Sequence, residues 1–265
     1  MGVRLSTWWG LRSTVVNSRG RLGRHTGEVG GTFVGRESVV YCGEQLLDIY
    51  EPEVSRTSTA VVLWHGRGAN EREALEPLAR HVAGGGVRVM VPDWSTDDDA
   101  DGRNHLTASL SFVLNSGSKE RPVTRVVLAG WSLGASAGLD LLCHAEAFGG
   151  WRPDALVCIS GGFHRSPYSP EQPSDSSVDP SVPLVLIHGA SDEVVPPERS
   201  RVTFDRLVRE GWNVTLREVA TDHAGAIGTV FDPARHRCVP TDDPGRQEAL
   251  VTVAGVIAGL ALAGR

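Results

Sequence analysis

The feature that most constrains this chain is a short buried strand that passes through a glycine-rich turn directly into an apolar helix. Residues 125–129 are typical of such a strand, and residues 133–147 have the small and apolar side chains of a helix packed on a sheet. Two overlapping G-x-S-x-G patterns follow the strand, centred on Ser132 and Ser136. Only Ser132 lies between strand and helix, so it is predicted to occupy a sharp turn that exposes its hydroxyl. Ser136 would lie inside the helix, where its hydroxyl is expected to bond a backbone carbonyl.

The rest of the chain alternates strands with helices. A hairpin is predicted at 38–42 and 45–50, with further strands near 60–64, 87–91, 125–129, 154–160, 183–188 and 213–219. Helices are predicted near 71–83, 104–116, 133–147, 197–210 and 245–263. This alternation predicts an α/β fold with a mostly parallel, eight-stranded sheet, helices on both faces, and a site formed by the loops after the strands.

Three other loops that follow predicted strands carry residues able to work with Ser132. His65-Gly66-Arg67-Gly68 follows the strand at 60–64, Asp192 follows the strand at 183–188, and His223 follows the strand at 213–219. With 31 glycines in 265 residues, a chance G-x-S-x-G is common, so the order Ser, Asp, His after separate strands is the stronger signal. Glu193 is an alternative to Asp192, and His236 is an alternative to His223.

These motifs resemble the α/β-hydrolase superfamily, in the esterase-like branch that includes kynurenine formamidase and dienelactone hydrolase relatives. The segment 47–52, LDIYEP, is similar to the second strand of such esterases, and 188–196, HGASDEVVP, is similar to their acid loop. The resemblance covers roughly Glu37 to the C-terminus. It departs from the lipase and esterase pattern at Arg67, which interrupts the run of glycines that often follows the first His-Gly. The resemblance implies an α/β-hydrolase fold.

A cap domain is often inserted in such proteins where this chain has Gly161 to Ser181. That stretch is only about twenty residues long and rich in serine and proline. We therefore expect no large cap domain, and an open cleft with a mobile flap.

The chemistry predicted for the loops is acyl transfer through a serine. Ser132 is the candidate nucleophile, His223 the base that takes its proton, and Asp192 the acid that orients the imidazole. The backbone N–H groups of Leu133 and Arg67 are the candidate oxyanion hole.

Further polar and aromatic residues have less settled roles. The side chains of Arg67 and Trp131 are candidate substrate contacts, and a solvated arginine is the alternative for Arg67. His65 and His188 both precede glycine at a strand end, where structural hydrogen bonds are expected.

The predicted function is a serine hydrolase, carboxylesterase-like, that cleaves small to medium carboxylic esters through an acyl-serine intermediate. An acyltransferase, a thioesterase or an arylformamidase would use the same triad, and an inactive scaffold that serves as a binding protein is an alternative of another class. No cofactor and no metal are expected. Asp97 to Gly102 resembles the start of a calcium loop, but Ala108 stands where a bidentate glutamate is required.

Composition limits the partners and the compartment. The net charge of −6 argues against a nucleic-acid partner, and the predicted partner is a small-molecule ester or acyl substrate. Four scattered cysteines favour a reducing, cytoplasmic setting, and the apolar run from Leu250 to Ala263 is too short for a membrane span. Residues 1–36 hold six arginines and one acidic residue and are predicted to be a basic, disordered extension, with residues 37–265 forming the hydrolase domain. The alternative is an arm whose Trp8-Trp9 pair covers the active site or contacts a membrane surface.

Overall fold

The computed structural model describes residues 22–29, 32–69, 71–95, 101–117, 122–145, 150–164, 167–168 and 179–263. The strands are Leu22–Val29 (β1), Thr32–Cys42 (β2), Gln45–Pro52 (β3), Thr59–Trp64 (β4), Arg88–Pro92 (β5), Arg125–Trp131 (β6), Ala155–Ile159 (β7), Leu184–Gly189 (β8), Val214–Val219 (β9), Thr229–Asp232 (β10) and Arg237–Pro240 (β11). The α-helices are Glu76–Gly84 (α1), Asp101–Asn115 (α2), Leu133–Cys143 (α3), Glu198–Glu210 (α4) and Pro244–Leu262 (α5), with short 3-10 helices at Arg72–Leu75 and Gly225–Ile227.

One large sheet organises the fold. Its strand order is β1-β2-β3-β5-β4-β6-β7-β8-β9, and the six strands from β5 to β9 in this order run parallel. The strands β1, β2 and β3 join antiparallel at one edge. The predicted mostly parallel sheet is therefore confirmed, with its eight strands as β2 to β9 and β1 added at the edge.

Helices cover both faces of this sheet. The helices α1 and α5 pack with one set of strand side chains, and α2, α3 and α4 pack with the other. Every residue of β4, β7 and β8 is buried, because both sides of these strands are covered. The two faces explain why these strands are continuous apolar runs. None of the four cysteines forms a disulfide in the described structure, and Cys143 and Cys158 are buried.

The sheet extends into the segment that the sequence analysis set apart as an N-terminal extension. The strand β1 lies wholly within residues 1–36 and β2 begins there, so the boundary at residue 37 falls inside a strand. Arg36 of β2 binds Asp48 on β3 at 2.7 Å and Glu76 on α1 at 3.0 Å, which ties this edge to the rest of the fold. Residues 1–21 of the predicted extension lie outside the described residues.

The connection from β7 to β8 spans only residues 160–183, which is too short for a cap domain. Most of the flap predicted at Gly161 to Ser181 lies outside the described residues, as do positions 97–100 of the calcium-like loop.

The helix α5 is long and apolar enough, by length and composition alone, to cross a membrane, and 33% of its most apolar stretch is buried. Its inner side chains nevertheless belong to the core: Ala249, Leu250, Val253, Ala254, Ile257 and Ala261. The helix begins at Pro244, with Asp243 accepting a hydrogen bond from the Arg246 N–H at 3.0 Å.

Candidate active site

Ser132 occupies a strained turn between β6 and α3. Its backbone has φ 56° and ψ −116°, a region that residues with a Cβ rarely adopt. This strained conformation is stabilised by a hydrogen bond from the Ser132 N–H to the Ile159 carbonyl oxygen on β7 at 2.8 Å. The helix α3 begins at the next residue. The turn lifts the half-buried serine above the ends of the parallel strands. The Leu133 N–H is the first in α3 and so has no acceptor within the helix.

The glycines around Ser132 allow α3 to approach the sheet. A Cβ on Gly130 would lie 2.3 Å from the Gly134 carbonyl group, and a Cβ on Gly134 would lie 2.4 Å from the Trp64 carbonyl oxygen. Since neither position has room for a side chain, both glycines are required by close backbone contact. The start of α3 is thereby pressed against the end of β4.

Ser136 is buried inside the helix that follows Ser132. It lies inside α3 with 2% of its surface exposed, and its hydroxyl accepts a hydrogen bond from the Phe163 N–H at 3.0 Å. The prediction that Ser136 is buried in the helix agrees with this placement. Its partner differs from the expected one, because the hydroxyl bonds a neighbouring loop and no helix carbonyl.

Asp192 and His223 form a hydrogen-bonded pair at the same end of the sheet. The Asp192 Oδ2 atom lies 2.6 Å from His223 Nδ1, and both side chains are almost fully buried. A proton on Nδ1 leaves Nε2 free to accept another, which is the form that a general base requires. Asp192 follows β8 and His223 follows β9, so the parallel strands bring the two loops together.

The carboxylate of Asp192 is held in its ionised form. Its Oδ1 accepts hydrogen bonds from the N–H groups of Val194 at 2.9 Å and Val195 at 2.8 Å, and Oδ2 lies 3.3 Å from His188 Nε2. Burial by itself would raise the pKa of Asp192, but hydrogen bonds from His188, His223 and the Val195 N–H bring that pKa well below its usual range.

His188 supports this loop as a buried structural residue. Its Nδ1 lies 2.6 Å from the Ser200 hydroxyl, and its Nε2 lies 2.8 Å from the Val195 carbonyl oxygen. Because a carbonyl only accepts, Nε2 carries the proton and Nδ1 accepts from the serine. The ring thus fastens the acid loop to the first turn of α4.

The loop after β4 passes directly against the serine. A Cβ on Gly66 would lie 3.1 Å from Ser132 Cβ, so this position leaves little room for a side chain. His65 is completely buried, with Nδ1 2.8 Å from the Gly66 carbonyl oxygen and Nε2 accepting from the Trp94 N–H at 3.1 Å. Burial lowers the pKa of His65 to about 3, which keeps the ring neutral.

The contact of His65 with Gly66 has a consequence for Arg67. In a planar trans peptide the carbonyl and the N–H point in opposite directions. The bond from His65 to the Gly66 carbonyl therefore also orients the Arg67 N–H, the predicted oxyanion donor. The Arg67 side chain is exposed.

Trp131 is buried, with 7% of its surface exposed, and its Nε1–H donates to the backbone carbonyl of His223 at 3.1 Å. Its indole also lies beside the His223 ring, with 5.1 Å between ring centroids. This contact places His223 next to the residue that precedes Ser132. The indole was predicted to contact substrate, and its polar atom is already bonded within the protein.

The alternative residues for the acid and the base are both exposed. Glu193 is exposed beside Asp192, and His236 is exposed at the turn of the β10–β11 hairpin. Sequence reasoning missed Arg246 on α5, whose guanidinium binds both carboxylate oxygens of Asp222 at 2.8 and 2.5 Å. The sequence signal for this contact is the position of Asp222, a carboxylate directly before His223.

Comparison with solved structures identifies proteins that share this fold. Solved structures with the same fold include an α/β serine hydrolase without lid from Xanthomonas campestris, with 20% identity, TM-score 0.55, and 85% of this chain and 93% of that chain covered. An esterase from Pyrobaculum calidifontis has 14% identity and a TM-score of 0.64, with 86% of this chain and 85% of that chain covered. Carboxyl esterase 2 from the mycorrhizal fungus Tuber melanosporum has 12% identity and a TM-score of 0.63, with 88% of this chain and 87% of that chain covered. At these identities the likeness shows the fold alone.

Comparison with curated protein sequences gives no match. The sequence profile of the family described as serine hydrolase (FSH1) matches residues 81–224, which is more than half of the chain and includes Ser132, Asp192 and His223. The chain therefore belongs to the serine hydrolase (FSH1) family and has the α/β-hydrolase fold.

Proposed function

We propose that this protein is a carboxylesterase that cleaves small to medium esters through an acyl-serine intermediate. The observation that carries the proposal is the buried Asp192–His223 pair, joined through Trp131 to the strained turn of Ser132. The esterases among the solved structures with this fold support the choice of ester substrates.

The first half of the reaction forms the acyl-enzyme. His223 Nε2 takes the proton of the Ser132 hydroxyl as Oγ bonds to the ester carbonyl carbon, and the carbonyl oxygen becomes negative. The N–H groups of Leu133 and Arg67 donate to that oxygen. When the carbonyl re-forms, the bond to the alcohol oxygen breaks, and His223 gives the proton to this leaving oxygen.

The second half returns the enzyme. Water attacks the acyl carbon and loses a proton to His223, and collapse of the intermediate breaks the bond to Ser132 Oγ. His223 then returns the proton to the serine, and the carboxylic acid leaves. Asp192 remains ionised throughout and stabilises the imidazolium that forms twice in the cycle.

The test is labelling by a fluorophosphonate, read by intact mass, on the wild type beside Ser132→Ala and Ser136→Ala. We expect one adduct on the wild type and on Ser136→Ala, and none on Ser132→Ala. The absence of an adduct on folded wild type, or its loss only in Ser136→Ala, would overturn the proposal.

The acyl range is read with p-nitrophenyl esters from acetate to decanoate. We expect the highest kcat/KM for short and medium chains and no turnover by Ser132→Ala. Labelling without hydrolysis of any ester would contradict an esterase and leave an acyl-serine enzyme with another substrate.

A further inference from the structure

The indole of Trp131 connects two loops that both belong to the candidate site. On one edge, its Nε1–H donates to the His223 carbonyl at 3.1 Å. On the other edge, ring carbons Cε3 and Cζ3 would each lie 3.2 Å from a Cβ placed on Gly66. The five-membered ring of the indole therefore faces the base loop, and the six-membered ring faces the oxyanion loop.

The strands that precede these two loops, β9 and β4, are not neighbours in the sheet. His223 follows β9, which is the edge strand and lies three places from β6 in the strand order. Gly66 follows β4, on the opposite side of β6. The loop after β9 must therefore reach back over the ends of β7 and β8 to approach Ser132. Trp131, the last residue of β6, stands between the two loops.

We infer that Trp131 is a positioning residue that sets the spacing between the catalytic base and the oxyanion loop. The inference rests on the proposed function, since it assigns His223 and the Arg67 N–H their roles. Trp131 is almost fully buried, and its contacts are with His223 and with the space beside Gly66, so we assign it a role that acts through these two residues. A displacement of about 1 Å between such groups costs about a hundredfold in rate.

The test compares Trp131→Phe with Trp212→Phe. Phenylalanine keeps an aromatic face toward His223, but it lacks the N–H donor and cannot reach both loops. Trp212 is equally buried, at 5% exposure, and its Nε1 has no hydrogen-bond partner in the described structure. It belongs to the core on the other face of the sheet, so its replacement controls for the loss of a buried indole.

The expected result with p-nitrophenyl acetate is a drop in kcat of about ten- to a hundredfold for Trp131→Phe, with KM within about threefold of the wild type. Trp212→Phe should keep its kcat even where its melting temperature falls. A Trp131→Phe enzyme with unchanged kcat, or with raised KM alone, would overturn the inference, the latter in favour of a substrate contact.

A second readout does not depend on turnover. The proton shared by His223 Nδ1 and Asp192 gives a downfield proton NMR signal, which His223→Gln identifies by its loss. We expect Trp131→Phe to shift or broaden this signal and Trp212→Phe to leave it unchanged. An unchanged signal in Trp131→Phe overturns the positioning role whether or not the wild type hydrolyses an ester. A wild type that shows the signal but takes no label overturns the proposed function and the catalytic role of the spacing, and the signal then still reports whether Trp131 holds His223 in position.

Discussion

Asp192→Asn tests the candidate triad most sharply, because the two oxygens of this carboxylate have different partners. Oδ1 accepts from two backbone N–H groups, those of Val194 and Val195, and Oδ2 faces His223 Nδ1 at 2.6 Å. An asparagine NH2 group at the Oδ1 position would face two donors that cannot change. At the Oδ2 position it faces the His223 ring, which can move its proton, and it lies 3.3 Å from His188 Nε2, whose proton has a nearer acceptor in the Val195 carbonyl oxygen at 2.8 Å. We therefore expect the amide NH2 to point at His223.

The consequence is the wrong histidine tautomer. Nδ1 of His223 must then accept from the amide, so the ring proton moves to Nε2, where it blocks acceptance of the Ser132 proton. Loss of the correct tautomer in a serine triad costs about 10⁴-fold in kcat, and we expect about 10³- to 10⁴-fold here. This corresponds to roughly 4–5.5 kcal/mol of transition-state stabilisation.

The assay is kcat for p-nitrophenyl acetate together with the rate of fluorophosphonate labelling. Glu193→Gln is the matched control, because this neighbouring carboxylate is exposed and should be replaceable with activity within about twofold. Circular dichroism and melting curves establish that both variants are folded. A loss below about tenfold in Asp192→Asn, or an equal loss in Glu193→Gln, would refute the assignment of the acid.

Three further changes probe the surroundings of the serine. Gly66→Ala places a Cβ 3.1 Å from Ser132 Cβ and should lower kcat about tenfold; unchanged kcat would contradict the close approach. Ser136→Ala leaves the buried Phe163 N–H without its acceptor and should cost about 1–3 kcal/mol in urea unfolding, with labelling within twofold; equal stability would contradict the bond. The pKa of His65 is about 3 in the folded protein, below the value of about 6.5 in an unfolded chain. The contribution of His65 to the free energy of unfolding is therefore complete above about pH 6.5, and it falls by up to about 1.4 kcal/mol per pH unit as the pH drops toward 3. His65→Asn should flatten this dependence in melting curves, and an unchanged slope would contradict it.

The parallel part of the fold could be predicted because its strands are buried on both faces. The strands β4, β7 and β8 are continuous apolar runs, and the helices between them have apolar faces that pack on the sheet. Strand ends at one edge of a parallel sheet lie close together, so residues after separate strands could be assigned to one site from their order alone.

The edges of the fold lacked such a pattern. The strand β1, LGRHTGEV, has no alternation of apolar and polar residues, and its pairing depends on the register with β2. The β10–β11 hairpin was also missed, because each strand has four residues and most of them are partly exposed. Its turn is stabilised locally, by hydrogen bonds from the Ala234 and Arg235 N–H groups to Asp232 Oδ1. Asp232-Pro233 is a turn signal that could have indicated it.

The residues that support His223 could not be predicted from the sequence, and the reason is physical. His223, the candidate base, follows β9, which among the described strands pairs only with β8 and has half of its residues exposed, so the sheet by itself gives this histidine little support. The support comes from distant parts of the chain: Arg246 on α5 clamps Asp222, and Trp131 holds the carbonyl of His223. Arg246 and Asp222 are 24 positions apart in the sequence, and Trp131 and His223 are 92 positions apart. No local sequence pattern predicts contacts between side chains at such separations. His223, as the candidate base after an edge strand, is therefore supported from α5 and from the turn that carries Ser132, and its position is coupled to the packing of both.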